Sequence, residues 1–538
     1  MKVKVLALAG ALAGCLAACQ TVPTPPPTKE TSAWWGHIAF LASDKLEGRL
    51  TGSEGYSQAT HYVADSFKRF GLEPAGADGY FQPVSYEVQT ILTAESSVGL
   101  RDKTGAPRPF ALGDDMVLSA GAEQLPQIQN APLVFLGYGL HLPEAGIDDF
   151  ADIDLKGKIV VYITGAPASV PGSLQAYGRA EEFAKTLAAK GALGALSLQT
   201  PAAAEIPWER VRANANAPGM FLTEPDLRRY RVPMMIGSIN PASTPALFEG
   251  TPQTFEALAA LADAHQPLPH FALPFSLSAA IKADRARIKA DNVVAELPGS
   301  DPQLAGQAVV LSAHLDHLGM GKPDHGDGIF HGAMDNASGV ASLLETARMM
   351  QASGQRPRRS VLFVAVGGEE KGLLGSRFFA AHPTRHVGAL VADINMDMFL
   401  PIFPLRHLVA YGADESSLGQ DARQTADHAH IGLVPDRAPD RLVFIRSDQY
   451  SFIRRGVPSL MLAFAAEPGS PEEVVQRHWF VERYHGQADN LEQPIDLAAA
   501  DAYDRYLMDL ISRVANAEQP PTWNGASFFK RFAAEPLK

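Results

Sequence analysis

Four short stretches of this chain bring histidine and carboxylate residues together in the way a metal site needs. The first runs from Ser312 to Gly339. In it His314 and Asp316 stand two positions apart, at the end of the apolar run Ala308–Leu311. On an extended chain such residues point the same way, and a metal-binding imidazole usually gives its second N–H to a carboxylate. The same stretch closes on Gly332-Ala333-Met334-Asp335-Asn336-Ala337-Ser338-Gly339, an acid just ahead of a helical pattern. The second stretch, Gly367-Gly368-Glu369-Glu370-Lys371-Gly372, comes directly after the apolar run Val361–Val366. Neighbouring side chains diverge, so one acid can bind a metal while the other reaches a water. The third is Asn395-Met396-Asp397 and the fourth is Tyr484-His485. Singly, each has an ordinary explanation, such as a surface hydrogen bond or acids favoured at a helix start. Together, His314, Asp335, Glu370, Asp397 and His485 offer two nitrogens and three carboxylates. If Asp335 bridges two metals, each has three protein ligands and an open position, as catalytic zinc requires. Two divalent cations against three carboxylates and a hydroxide carry no net charge, so the site can occupy a partly dry cleft.

The elements that must position these residues are legible as periodicity. Val309–Leu311, Val361–Val366 and Ala389–Ile394 read as buried strands, and Val340–Met350 and Leu373–Ala381 as helices. Their alternation from Asp291 onward predicts an α/β sheet with helices on its faces. Before it, Trp34–Leu41 and Gly55–Phe70 read as helices, the second ended by Gly71, with the polar loop 44–53 between them. Strands around 133–139 and 154–162, a helix near 180–190 and a strand at 191–196 predict a compact unit of their own, closed by proline-rich segments. No cluster of candidate catalytic residues falls inside that unit.

The chain starts Met1-Lys2-Val3-Lys4, then runs through an apolar stretch to Ala18 and on to Cys19. That reads as an export signal, too short to cross a bilayer comfortably. Leu16-Ala17-Ala18-Cys19 looks like a bacterial lipobox, with Leu12-Ala13-Gly14-Cys15 as the alternative. The expectation is lipidation at Cys19, a proline-rich tether, and a soluble body held at the envelope, in the outer membrane facing the periplasm. Both cysteines lie in this leader, so the mature chain has no disulfide framework. The body of about 500 residues predicts two or more domains. A net charge of −13 argues against nucleic-acid binding.

The motifs H-L-D-H-L-G, G-A-M-D-N-A-S-G, G-G-E-E-K-G-L-L-G-S, N-M-D and Y-H, with D-N-V-V-A-E-L-P-G, L-E-G-R-L-T-G-S-E-G and R-S-D-Q-Y-S-F, are similar to those of the co-catalytic zinc aminopeptidases. Relatives of that family include glutamate carboxypeptidase and the transferrin receptor. The resemblance implies an α/β fold with a mixed, mainly parallel sheet sandwiched by helices, and an inserted β-rich protease-associated domain. It implies two zinc ions, with cobalt or manganese as substitutes. His314 and Asp397 would bind one, Glu370 and His485 the other, with Asp335 between them. It makes Glu369 the general base, Asp316 the acid behind His314, Tyr484 the support of the oxyanion and Arg446 a substrate-binding residue.

The implied organisation is a lipoprotein signal at 1–19, a tether at 20–32, a first catalytic segment at 33–130, the protease-associated domain at 131–270, the di-zinc peptidase domain at 271–520 and a tail at 521–538. Two departures from the family pattern stand out. The loop between His314 and Asp335 is long and carries His317, His325 and His331, read here as loop or rim residues rather than ligands. Gln449 stands where relatives often have histidine. The expected activity is an aminopeptidase acting on peptides. The alternatives are a carboxypeptidase or dipeptidase on the same site, or a non-catalytic receptor-like protein of the same fold.

Overall fold

The structure is a computed structural model, and it describes residues 28–534 except 120–126, 205–206, 216, 229–232, 324–325, 384–387 and 439–440. Cys15, Cys19 and most of the proline-rich tether lie outside the described residues.

The apolar runs read from the sequence form the middle of a ten-stranded sheet. Its order is Gly219–Leu222, Phe81–Ile91, Ala283–Leu297, Ser360–Val366, Gln307–His314, Ala389–Asn395, Ser459–Phe464, His407–Tyr411 and Gly432–Val434, with Glu73–Pro74 paired beside Ala283–Leu297. Gln307–His314 is parallel to both of its neighbours, and Ala389–Asn395 is parallel to Ser459–Phe464. Ala283–Leu297 is antiparallel to Ser360–Val366 and to Phe81–Ile91, and His407–Tyr411 is antiparallel to Ser459–Phe464. The sheet is therefore mixed with a parallel centre. Strands buried on both faces carry no alternation, which is why Ser360–Val366 is buried at every position.

Helices cover both faces. Ala33–Leu41, Glu54–Phe70, Ser338–Ala352 and Leu497–Asn516 bury Trp34, Phe67, Leu344 and Leu507 in one core. Leu374–Ala381 and Gln449–Ile453 pack Phe379 and Phe452 against Val310, Leu362 and Val364 on the other. Helix Glu54–Phe70 begins where the Ser53 hydroxyl accepts the Tyr56 N–H. It stops at Gly71, whose φ of 82° is open to glycine.

A second, eight-stranded sheet has its own core. Its order is Pro107–Arg108, Ser97–Asp102, His270–Ala280, Ile128–Leu136, Ile159–Ile163, Gly194–Leu198, Met235–Ile239 and Met116–Leu118. The four strands from Ile128–Leu136 to Met235–Ile239 are mutually parallel. This sheet draws strands from Ser97 to Ala280, so it reaches past 131–270 at both ends. Gly219–Leu222 leaves it and pairs with Phe81–Ile91 at the edge of the first sheet. The last described residues bind the two halves together. Phe529 and Phe532 join Tyr450, Ile453 and Trp523 of the first half, while Arg531 meets Glu144 of the second at 2.6 Å.

Candidate metal centre

Three neighbouring parallel strands deliver the chemistry. Gln307–His314 ends on His314 itself. Ser360–Val366 runs into Gly367-Gly368-Glu369-Glu370, and Ala389–Asn395 runs into Asp397. The chain passes from the central strand to Ser360–Val366 on one side and then to Ala389–Asn395 on the other. That is the switch point where strand order reverses, and a crevice opens beyond the carboxyl ends of the strands. Asp335 enters from the turn Ala333–Ala337 that leads into helix Ser338–Ala352.

Asp335 faces both ways. Its Oδ1 lies 3.2 Å from His314 Nε2, and that nitrogen is 3.3 Å from Asp397 Oδ1. Its Oδ2 lies 3.2 Å from His485 Nε2, which is 3.4 Å from Glu370 Oε2. Donor atoms of His314, Asp335 and Asp397 fall within 4.8 Å of one another, as do those of His317, Asp335 and Glu370. Four of the five residues expected as ligands, His314, Asp335, Glu370 and Asp397, thus meet in two groups that share Asp335, and His485 lies against Asp335 and Glu370. His485 closes the outer side, its side chain 40 % exposed.

The surroundings hold this geometry. Asp489 accepts the backbone N–H groups of Met334, at 2.9 Å, and Asp335, at 3.0 Å. Arg49 is fully buried and donates to the carbonyls of Leu315 at 2.7 Å, Gly332 at 2.7 Å, Asp335 at 3.2 Å, Leu41 at 3.2 Å and His331. The Thr51 hydroxyl accepts the Gly368 N–H at 2.8 Å. Both residues come from the loop 44–53, so the loop that reads as merely polar in sequence is the back wall of the site. Asp316 departs from its expected place in one respect. His314 Nδ1 is 3.2 Å from the Asp316 carbonyl and 3.9 Å from its carboxylate, and that carboxylate instead accepts the Glu369 N–H at 3.2 Å.

The rim expectation fails for His317. It is fully buried, with Nδ1 2.7 Å from Glu370 Oε1. Its sequence signal was only a third polar residue in H-L-D-H-L-G, and no periodicity says which side of a loop faces inward. His331 is buried beneath Asp44 and Asp327, with Nε2 3.0 Å and 3.7 Å from their carboxylates. His325 lies outside the described residues. Gln449 is buried and internal: its carbonyl accepts from the Asn395 amide at 2.8 Å, and its amide donates to Phe444 O at 3.0 Å and Val443 O at 3.3 Å. It therefore ties a central strand end to the turn that carries Arg446.

Electrostatics mark the cluster as an acid-rich pocket. Burial would raise the Asp335 carboxyl, but His317, His314 and His485 hold it well below the usual carboxylate range. Burial alone would depress His314, yet Asp397 and Glu369 hold it well above the ordinary imidazole value. Glu369 is raised by burial and by Glu370 and Asp397, against His314. Burial, Asp335, Asp397 and Glu370 likewise hold the Tyr484 phenol high, with exposed Arg446 opposing. The Tyr484 ring stacks on His485 at 4.0 Å. The donor set fits divalent zinc: imidazole nitrogens and carboxylate oxygens converge, and the buried acids outnumber the buried cations that face them.

The chain is similar in sequence and in fold to known proteins. The chain is 26 % identical over 245 residues to leupeptin-inactivating enzyme 1 of Streptomyces exfoliatus, covering 44 % of this chain and 51 % of that protein. It is 29 % identical over 204 residues to aminopeptidase Y of Saccharomyces cerevisiae, covering 36 % of this chain and 34 % of that protein. The matched region thus spans about half or less of these curated relatives. The fold is similar to that of an aminopeptidase from Aneurinibacillus sp. strain AM-1, with a TM-score of 0.52 and 18 % identity over 91 % of this chain and 96 % of that one. Residues 292–511, which hold His314, Asp335, Glu369, Glu370, Asp397 and His485, match the model of Peptidase family M28.

Proposed function

We propose that this chain is a di-zinc metallo-exopeptidase, and first of all an aminopeptidase that releases N-terminal residues from peptides. The observation that carries the reading is Asp335, which offers one oxygen to each of two buried donor groups at the switch point of the sheet. His314 and Asp397 would hold one cation with Asp335, and Glu370 and His485 the other. Bound there, the cations supply Lewis acidity, making water more acidic and polarising the peptide carbonyl. Cobalt or manganese suits the same mixed donors.

The protein groups divide the remaining work. Glu369, held by its N–H on Asp316, takes the proton of the attacking water and returns it to the leaving amine. Its raised carboxyl suits a group that must both accept and release a proton. Tyr484 keeps its phenolic proton and donates it as a hydrogen bond to the developing oxyanion.

Exposed Arg446, close enough to Tyr484 to act on it electrostatically, favours a second reading. A cation there can hold a substrate carboxylate, which suits a carboxypeptidase or dipeptidase. Rates on amino-acid p-nitroanilides beside N-blocked peptides with free carboxyl ends decide between the two. Cleavage only of the blocked peptides overturns the aminopeptidase reading, and cleavage of neither, with metals bound, favours a receptor-like protein. The eight-stranded region is read as a protease-associated domain that restricts access to the crevice. Export and lipid anchoring through Cys19 remain part of the proposal, and retention of Cys19→Ser and Cys15→Ser variants in the membrane fraction would sink them.

A further inference from the structure

We propose that Thr51 and Asn292 are positioning residues for Glu369: with Asp316 they hold the turn that carries it by three consecutive backbone N–H groups. This rests on the reading of Glu369 as general base and adds the residues that aim it. Three observations carry it.

The first is the set of hydrogen bonds. The N–H of Gly367 donates to Asn292 Oδ1 at 3.1 Å, that of Gly368 to the Thr51 hydroxyl at 2.8 Å, and that of Glu369 to Asp316 Oδ1 at 3.2 Å. The three acceptors come from segments far apart in the chain, and all three are buried. The carbonyls of the same residues are also taken. Gly367 O accepts from Gly375 at 2.8 Å, Gly368 O from Leu374 at 3.0 Å, and Glu369 O from Gly372 at 2.8 Å and Leu373 at 3.0 Å. Residues 367–369 lie in neither helix nor strand, and Gly368 has a φ of 72°. No repeating ladder defines such a turn, so the partners of its backbone groups set its shape.

The second is orientation. A backbone N–H can only donate and a backbone carbonyl can only accept. Asn292 offers its oxygen to the Gly367 N–H and its amide to Gly375 O, at 3.0 Å. The same amide donates to Gln82 Oε1 at 2.9 Å, and Gln82 is fixed in turn because its own amide donates to the His382 carbonyl at 2.7 Å. Only one way round satisfies Asn292, and it is the one that holds Gly367.

The third is lack of room. A Cβ on Gly367 would stand 2.1 Å from the Tyr56 hydroxyl oxygen, which is itself tied to the Asp291 carbonyl at 2.8 Å. A Cβ on Gly375 would stand 2.2 Å from Gly367 O and 2.5 Å from Asn292 Oδ1. The turn is therefore seated against its partners with no slack on these sides.

The effect falls on Glu369 before its neighbour. Glu370 has ties of its own, to His317 Nδ1 at 2.7 Å and His485 Nε2 at 3.4 Å. A general base must lie within hydrogen-bond reach of the proton it takes, and a misplacement of about 1 Å can cost about 10²-fold. Loosening Gly368 thus moves the base while the metal ligands stay anchored.

The test compares Thr51→Val with Thr51→Ser in the full chain loaded with zinc. Valine has nearly the shape of threonine and lacks the oxygen. Thr51→Val should keep its zinc content and KM while kcat falls by about 10–100-fold, as loss of an outer partner does. Thr51→Ser keeps the oxygen and should turn over like wild type. Asn292→Leu should lower kcat in the same way, with KM and zinc content unchanged. In a Glu369→Gln chain, which has already lost the base, adding Thr51→Val should cost nothing further. Unchanged kcat in Thr51→Val, a raised KM, or a loss of zinc that accounts for the lost activity each overturns the inference. A fall in kcat in Thr51→Ser overturns it whatever Thr51→Val does. Near-normal turnover of Glu369→Gln with zinc bound overturns the reading of the base, and this inference falls with it. An inactive Glu369→Gln beside an unaffected Thr51→Val overturns this inference alone.

Discussion

The two sheets share a plan but not a chemistry. Each places parallel strands at its centre, and each has one buried at every position: Ile159–Ile163 in the second sheet, Ser360–Val366 in the first. The difference lies in the residues just beyond the strand ends. In the first sheet the chain continues into His314-Leu315-Asp316-His317, Gly367-Gly368-Glu369-Glu370 and Met396-Asp397. In the second it continues into Thr164-Gly165-Ala166, Gln199-Thr200-Pro201 and Asn240-Pro241. Among the described residues, no group able to hold a metal lies in the second sheet. Parallel strand ends supply a crevice, and only the residues placed there supply a reaction.

The largest effect expected from this contrast is at Glu369. Glu369→Gln should keep both metals while turnover falls by about 10²–10⁴, whereas Glu370→Gln should lose a metal and lose activity as a result. Metal counting by plasma emission beside a peptidase assay reads both. Equal metal content and near-normal turnover in the two variants would break the claim that chemistry sits at these strand ends.

Next is Arg49, the buried cation behind the site. Arg49→Ala leaves several buried carbonyls without a donor and removes the positive charge facing Asp335 and Asp489. It should cost about 3–5 kcal/mol of stability, as loss of one partner of a buried charged pair does, and weaken metal binding with it. Denaturant unfolding with and without zinc checks this, and a loss below about 1 kcal/mol would show that the back wall is not held this way.

Leu277, fully buried in the core of the second sheet, sharpens the contrast from the other side. Leu277→Ala should destabilise by about 2–5 kcal/mol and leave metal content unchanged. Falling metal content in the folded variant would mean that the second region shapes the metal site directly.

The smallest effect concerns a buried acid in the first half that takes no part in the site. Asp504, on helix Leu497–Asn516, has its carboxyl pushed up to about 8, by burial first, against a hydrogen bond from Ser342. An acid with a raised folded pKa makes the native state keep a proton that the unfolded chain gives up. Stability should therefore fall as pH rises from about 4 toward 8 and flatten above it. Asp504→Asn removes that dependence, so its advantage should be near zero at pH 4 and about 1–3 kcal/mol at pH 8. Thermal unfolding across that range reads the difference, and a pH-independent gap would show that the acid is not buried as described.

Much of this was legible in the chain. The apolar runs 308–311 and 361–366 became central strands, the helix expected at Val340–Met350 spans Ser338–Ala352, and Trp34–Leu41 extends by one residue to Ala33. Periodicity carries such information because burial on one or both faces constrains every second or every third to fourth residue. The long terminal helix Leu497–Asn516, which caps the same core, was not read, nor was the second sheet's reach back to Ser97.

What the sequence determined by itself was local: which strands would be buried, and which acids and histidines stand at their ends. Those properties depend on neighbours in the chain. The tertiary structure alone decided that His317 faces Glu370 rather than solvent and that Arg49 reaches carbonyls more than 260 positions away. It also decided that Gly219–Leu222 crosses to the first sheet and that Phe529 and Arg531 tie the two halves together. Each of these depends on contacts between segments distant in sequence, and no spacing along the chain records which side of a loop will meet them.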